Sequence, residues 1–345
     1  MRIALLAFSD RGIELGERIE QALTADTGAN NYAREEDVNT VTVERCGKGE
    51  LAAWTDRCFD SADALVFVGA CGIAVRAIAP HVEHKTSDPA VVVVDELGRF
   101  SISLLSGHIG GANALASAIA RITGGTPVIT TATDINGVFA VDTWAKSRGL
   151  KIANPEQIVQ VSSALLANRP VRLINEFFTL GALPNNISFA GGNPAIHISY
   201  RTSVLPGALQ LVPPVVTLGV GCRKGVTEQA INDAVAAALN EAQIRLDGVC
   251  GVASIDLKAQ EPGLVAWCEH HRLPLATFSA EELATAPGQF TPSKFVESTV
   301  GVDNVCERSA VLASKGHLVA PKFALNGVTV ACAEAPYSIS FKEDR

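Results

Sequence analysis

Short apolar runs alternate along the chain with glycine-bearing turns and with segments whose apolar residues return every three or four positions, the marks of strands and amphipathic helices. Ile3 to Phe8 reads as a strand buried on both faces. The turn Ser9-Asp10-Arg11-Gly12 follows, then a helix with Leu15, Ile19 and Leu23 on one side. Asp26 to Asp37 is polar and turn-forming, Thr40 to Glu44 alternates as a second strand, and Glu50 to Phe59 has helical spacing. Ala64 to Gly69 is a further strand. It runs into a glycine-bearing loop, Ala70 to Arg76, that opens a helix ended by Pro80.

The densest stretch is Val91 to Asn113. Four valines make a buried strand, Glu96-Leu97-Gly98 turns the chain, and Phe100 to Leu105 alternates apolar residues with serine as a half-buried strand does. Ser106-Gly107-His108-Ile109-Gly110-Gly111 then opens a helix in which Ala112, Leu115, Ala116, Ile119 and Ile122 share a face. Pro127 to Thr130 is one more strand, and Thr131-Ala132-Thr133-Asp134 a polar loop. This alternation predicts a mainly parallel sheet covered by helices, whose ligands bind where the loops gather at the carboxyl ends of the strands.

Residues 136–213 carry a helix from Pro155 to Ala167, a strand from Val171 to Ile174 and another around Ile196 to Tyr200; Leu205-Pro206-Gly207 and Pro213-Pro214 mark the exit. The pattern then restarts. Val215 to Val220 is a strand, Gly219 to Gly225 a glycine-rich loop, and Thr227 to Ala242 a helix. Val252 to Leu257 and Leu275 to Phe278 are strands, Leu264 to His271 and Ala280 to Ala286 helices. Thr291-Pro292 opens another helix, with threonine as cap and proline in the first turn, and Gly327 to Cys332 closes the sheet. The predicted fold class is α/β: two doubly wound, mainly parallel α/β/α sheet domains, 1–135 and 214–345, joined by a small linking α/β domain, 136–213.

With 345 residues, 48% of them hydrophobic, the chain can bury more than one core. No apolar run approaches the ~20 residues of a membrane span, and the apolar start stops too early for a signal peptide, so the expected location is the cytoplasm. Eight scattered cysteines without a C-x-x-C pair signal neither disulfides nor a metal site. A net charge of −8 and 6% aromatic residues argue against a nucleic-acid partner.

The acid/base candidates are Asp95, Glu96 and His108, with Ser106, Arg76 and Asp134 beside them. His108 is the sharpest, because a histidine in a strand-to-helix turn is placed for proton transfer. Asp95 ends the valine strand at the loop-gathering edge and is the alternative base. Glu96 also fits a plain turn residue, and Ser106 lacks the G-x-S-x-G elbow of a serine hydrolase. The amides near Gly110 and Gly111, at a helix start, suit an oxyanion. In the last third, G-x-G-x-x-x-G matches neither the dinucleotide fingerprint nor the phosphate loop. Its Arg223-Lys224 pair suits a carboxylate or phosphate. Lys258, Ser293, Lys294 and Lys322 fall near strand ends and suggest a cationic rim for an acidic ligand.

Taken together, VGACGIAVRAIAP (68–80), DPAVVVVDELGRFSISLLSGHIGGANALA (88–116), TTATD (130–134), GVGCRKGVTE (219–228), SIDLKAQEPGL (254–264), TPSKFVE (291–297) and APKFALNGVTVACA (320–333) resemble the cobalt-precorrin-5A hydrolase family (CbiG) of anaerobic vitamin B12 biosynthesis. The last four look like its C-terminal, CobE-like domain. The resemblance implies a hydrolase acting on a carbon–carbon bond, which opens the lactone of a ring-contracted cobalt tetrapyrrole and releases acetaldehyde. It implies no protein cofactor, since cobalt arrives with the substrate, and an anionic macrocycle whose acetate and propionate groups need Arg and Lys donors. On this reading His108, or Asp95 in its stead, deprotonates the attacking water, and the domain cleft closes over the macrocycle. Two other readings stay open: a sugar-phosphate isomerase-like enzyme, with Ser101 to Gly111 cradling a phosphate, and a non-catalytic tetrapyrrole carrier. The oligomeric state is open too, a homodimer included.

Overall fold

The computed structural model describes residues 1–25, 40–83, 87–108 and 110–342, except for the side chain of Asp134. The polar segment read at 26–37 lies outside the described residues. The chain divides into two compact units, Met1–Thr143 and Trp144–Arg345.

The first unit begins with β1 (Arg2–Ala7), α1 (Asp10–Ala25), β2 (Thr40–Arg45), α2 (Leu51–Phe59), β3 (Ala64–Val68) and α3 (Cys71–Ile78). It continues with β4 (Ala90–Val94), β5 (Phe100–Leu105), α4 (Ala112–Thr123), β6 (Thr126–Val128) and α5 (Ala132–Ile135). Helix α6 (Val141–Ser147) crosses into the second unit. The strands form one sheet in the order β2-β1-β3-β4-β5-β6. Leu15 and Ile19 of α1 and Leu115 and Ile119 of α4 cover one face, and Trp54 and Phe59 of α2 and Ala74 and Ile78 of α3 the other. Burying each of the larger side chains contributes roughly 1.5–3 kcal/mol, so the stripe spacing alone recruits helices to both faces.

One reversal in this sheet decides where its chemistry lies. Strands β1 to β4 are parallel, but β4 and β5 form an antiparallel hairpin with Val94 opposite Ser101, and β6 is parallel to β5. The carboxyl ends of β1, β3 and β4 therefore share one edge of the sheet. Those of β5 and β6 lie at the opposite edge.

The second unit opens with β7 (Lys151–Ile152), α7 (Ile158–Leu166), β8 (Val171–Asn175), β9 (Phe178–Leu180), β10 (Ile187–Ser188), β11 (Ala195–Ile198) and β12 (Leu209–Val212). Then come β13 (Val216–Cys222), α8 (Glu228–Glu241), β14 (Val249–Ile255), α9 (Pro262–His270), β15 (Leu275–Phe278) and α10 (Ala280–Ala284). The last elements are α11 (Lys294–Val300), α12 (Cys306–Ser314), β16 (His317–Leu325), β17 (Val328–Glu334) and β18 (Ser338–Ser340). Its sheets run β10-β8-β11-β12-β7 and β15-β14-β13-β17-β16, with β18 paired to β9. In the second of these, β13, β14 and β15 are parallel, and β17 is antiparallel to both β13 and β16. The carboxyl ends of β13, β14, β15 and β16 thus meet at one edge.

Four local readings change. The polar loop expected at Thr131 to Asp134 is largely the short helix α5. Strand β13 continues to Cys222, through the glycines read as loop, because α12 packs on it: a Cβ at Gly219 would stand 1.7 Å from the carbonyl oxygen of Cys306. The helix expected to open at Thr291 starts at Lys294 with Ser293 as its cap, since Thr291 is bound to the carboxylate of Glu307. The edge of the last sheet is β16, and the segment expected to close it, β17, lies inside. Among the described residues no helix is long and apolar enough to cross a membrane.

Candidate functional site

At the edge shared by β1, β3 and β4, the carboxylate of Asp95 is committed to its own turn. One oxygen accepts the N–H of Leu97 at 2.9 Å and the other that of Phe100 at 2.7 Å. Glu96 is exposed and accepts the hydroxyl of Ser9 at 2.6 Å, tying the β4–β5 turn to the β1–α1 loop. Arg76 is exposed on α3, with Nη1 donating to the carbonyl of Gly72 at 2.9 Å. Asp95 and Glu96 thus stand at the edge of the sheet opposite His108. The hairpin carries the chain from one edge to the other, so Asp95 cannot stand in for His108 as the base of a common site.

Ser106, His108, Gly110 and Gly111 follow β5 at the opposite edge. The turn is tight. Ser106 takes a left-handed backbone, φ 55°, and its hydroxyl is buried without a hydrogen-bond partner among the described residues. Gly110 lies flat against it: a Cβ there would meet the Cβ of Ser106 at 2.3 Å and its carbonyl oxygen at 2.6 Å. The N–H groups of Gly111, Ala112 and Asn113 are donated to the carbonyls of His108, Ser106 and Gly107. The oxyanion role read for the amide of Gly111 is therefore corrected, because that donor closes the turn. Asn113 fixes the neighbourhood further, accepting from Ser103 at 2.6 Å and donating to Thr131 at 3.0 Å.

This turn presents the His108 ring to two partners that the sequence reading did not single out. Nδ1 lies 3.3 Å from Oδ2 of Asp142, and Nε2 lies 3.0 Å from Oγ1 of Thr133. Asp142 is buried on α6 between the buried Val141 and Trp144. Burial pushes its carboxyl up, but the hydrogen bond and charge of His108 and the N–H of Thr143, 2.9 Å from Oδ1, outweigh that and hold it below the ordinary carboxylate range. In the tautomer that carries its proton on Nδ1, toward Asp142, Nε2 accepts the hydroxyl of Thr133. Thr133 is buried, at 5% exposure, in the first turn of α5. Asp134 follows it in the same helix, and its side chain lies outside the described residues. A carboxylate directly after Val141 and before Trp144-Ala145, on a short helical run, was the available signal.

In the second unit the cationic candidates divide in two. Arg223 and Lys224 are exposed beyond β13, and the Arg223 side chain lies over Gly327 in the β16–β17 turn. Lys294 is exposed at the start of α11, and Lys322 is half-buried near the end of β16. Lys258, by contrast, is largely buried and paired with Glu261 at 2.7 Å, while the other Glu261 oxygen accepts the N–H of Gly225 at 2.7 Å. The hydrogen bond from Lys258 is the main cause that holds the Glu261 carboxyl below its ordinary value. Lys258 therefore fixes the Arg223-Lys224 loop from below. Ser293 caps α11 by accepting the N–H of Val296.

Glu307, fully buried in the first turn of α12, braces the same edge. Thr291 donates both its N–H and its hydroxyl, at 2.6 and 2.9 Å; Asn304 Nδ2 donates at 2.8 Å and the N–H of Lys322 at 2.7 Å. The irregular pairing between Ala320 and Phe323 leaves that N–H out of the ladder. Among the described residues no group of three or more His, Cys, Asp or Glu stands together as a metal site.

Three family models match the chain. They are described as Cobalamin synthesis G N-terminal over residues 53–134, Cobalamin biosynthesis central region over 139–213 and Cobalamin synthesis G C-terminus over 216–333. The chain is 35% identical over 343 residues to the cobalt-precorrin-5A hydrolase of Salmonella typhimurium, covering 95% of this chain and 96% of that one. It is 30% identical over 301 residues to the cobalt-precorrin-5A hydrolase of Priestia megaterium, covering 81% and 80%. The solved structure of CobE, from the cobalamin biosynthetic pathway, is 24% identical with a TM-score of 0.34, covering 36% of this chain and 92% of that one.

Proposed function

This chain belongs to the cobalamin synthesis G (CbiG) family, and we propose that it works as a cobalt-precorrin-5A hydrolase, opening the lactone of the ring-contracted cobalt tetrapyrrole and releasing acetaldehyde. The observation that carries the chemistry is the Asp142–His108 pair. An imidazole whose Nδ1 is held by a buried carboxylate offers Nε2 as a base and carries the resulting positive charge beside that carboxylate. On this reading His108 draws the proton from the oxygen that attacks the lactone carbonyl. It returns the proton to the departing alkoxide, and scission of the carbon–carbon bond to the two-carbon fragment follows ring opening. Cobalt enters as part of the substrate, and the protein supplies no cofactor of its own.

The second unit adds an edge suited to acetate and propionate groups. Arg223, Lys224, Lys294 and Lys322 offer guanidinium and ammonium donors, which bind carboxylates by charge-assisted hydrogen bonds. The work is done in the cytoplasm, where the earlier cobalt intermediates would be made.

Incubation with enzymatically made cobalt-precorrin-5A tests the reading. Time-dependent acetaldehyde release at a rate proportional to protein is the expected result. Tight binding of the macrocycle with no acetaldehyde would make the chain a carrier and overturn it.

A further inference from the structure

The hydrogen-bond line Asp142–His108–Thr133 has the connectivity of a nucleophile, a base and the acid that orients the base. The two spacings, 3.3 and 3.0 Å, run carboxylate to Nδ1 and Nε2 to hydroxyl, within or just beyond the usual reach for such sets. All three residues belong to the Met1–Thr143 unit. Each is held independently. Asp142 is fixed by the N–H of Thr143, His108 by the closed turn after β5, and Thr133 by its place in α5, where its carbonyl accepts the N–H of Val138 at 2.9 Å. A threonine needed only to fill space at this position would be served by valine. Here its hydroxyl is the atom that meets Nε2.

We propose that Thr133 Oγ1 is the nucleophile that opens the lactone, so that hydrolysis passes through an ester between the substrate and Thr133. The inference rests on the lactone-opening reading and adds to it the identity of the attacking oxygen. In the first half-reaction the Thr133 O–H bond breaks, its proton passes to His108 Nε2, and Oγ1 bonds to the lactone carbonyl carbon. The ring C–O bond then breaks, and the alkoxide takes the proton from His108. In the second, His108 removes a proton from water, whose oxygen bonds to the same carbon. The bond to Oγ1 breaks, and Thr133 regains its proton. One water is consumed and no electrons change hands.

The route predicts a covalent state that direct attack by water does not form. Wild-type protein mixed with cobalt-precorrin-5A and quenched in acid within the first turnover should gain the mass of the substrate, or of the substrate less acetaldehyde. Peptide mapping should place the added mass on Thr133. Thr133→Val should form no adduct and release acetaldehyde at least ~10²-fold more slowly, the scale on which nucleophile loss is felt. Thr133→Ser, which keeps the hydroxyl, should form the adduct and retain turnover within about tenfold of wild type. Turnover by Thr133→Val within threefold of wild type would overturn the proposal. So would a slow, folded Thr133→Val protein alongside a wild type that turns over without an adduct at any quench time, because Thr133 would then only position His108. Failure of wild type to release acetaldehyde at all would strike the hydrolase reading itself.

Discussion

Oδ2 of Asp142 stands 3.3 Å from Nδ1 of His108, and that pairing leaves the proton exchange with a reactant to Nε2, the nitrogen that faces Thr133. His108→Ala removes the base and should lower acetaldehyde release by ~10²- to 10⁴-fold. Asp142→Asn keeps the shape but loses the charge that steadies the imidazolium, and should fall in the same range. Substrate binding should change little in either. Turnover of His108→Ala within about threefold of wild type would remove His108 from the mechanism.

The same carboxylate should appear in the acid stability of the first unit. Its folded value lies below the ordinary one of about 3.9. Asp142 therefore contributes stability that is complete above the ordinary value and is lost as pH falls through the depressed one. The contribution is present at neutral pH. Wild type should lose stability between about pH 5 and the strongly acid range more steeply than Asp142→Asn, as thermal unfolding followed across that range would show. Parallel curves would mean that Asp142 is not held ionised by His108.

Gly110→Ala tests the turn that presents the imidazole. The added methyl would meet Ser106 at 2.3 Å on its Cβ and 2.6 Å on its carbonyl, and the carbonyl belongs to backbone that cannot swing away. Backbone on one side or the other must move, at a cost of about 1–3 kcal/mol. Because His108 lies inside the same turn, turnover should fall by more than the loss of stability explains. An unchanged melting temperature with normal turnover would show that the turn has slack.

Most elements were legible from periodicity alone, since the buried residues of α1, α4 and the central strands fall where the apolar spacing puts them. His108 was legible as well, as a histidine in a strand-to-helix turn. Its partners were not. Glu96-Leu97-Gly98 reads correctly as a reversal, but the step from reversal to the opposite sheet edge requires the polarity of β5. Had β5 run parallel to β4, Asp95 would have shared an edge with His108. Asp142 and Thr133 reach the ring through tertiary packing, which no spacing rule encodes. In the second unit Lys258 and Ser293 stood out by residue type, yet their bonds to Glu261 and to the α11 amide depend on loops whose course only the fold determines.

Glu307 offers a test of the bracing in that unit. Four donors converge on its buried carboxylate, one of them buried and three half-buried, and Glu307→Ala would take away the acceptor they share. At about 1–3 kcal/mol for each buried group left unsatisfied, partly relieved by entering water, the loss should be at least ~3 kcal/mol. Glu307→Gln keeps one accepting oxygen and should lose less. Equal stability of the alanine variant and wild type in denaturant unfolding would contradict this account.

The last prediction separates charge from scaffolding at the Arg223-Lys224 loop. Both side chains are exposed, and the loop's course is fixed through its backbone amides, Arg223 N–H to the Gly327 carbonyl and Gly225 N–H to the Glu261 carboxylate. Replacing both by alanine should therefore remove charge without moving the chain. Attraction between exposed cations and a mobile carboxylate ligand is screened over about 8 Å at physiological ionic strength, so added salt should weaken wild-type binding and leave the double variant nearly unaffected. Lys258→Met supplies the contrast. It takes the buried partner from Glu261 and should loosen the loop, so its loss of affinity should persist at high salt. Titration of an octacarboxylate porphyrin, a stable polyanionic macrocycle, into the three proteins at low and high salt reads all of these outcomes. Equal affinity of wild type and the double variant at every salt concentration would show that the carboxylates are held elsewhere.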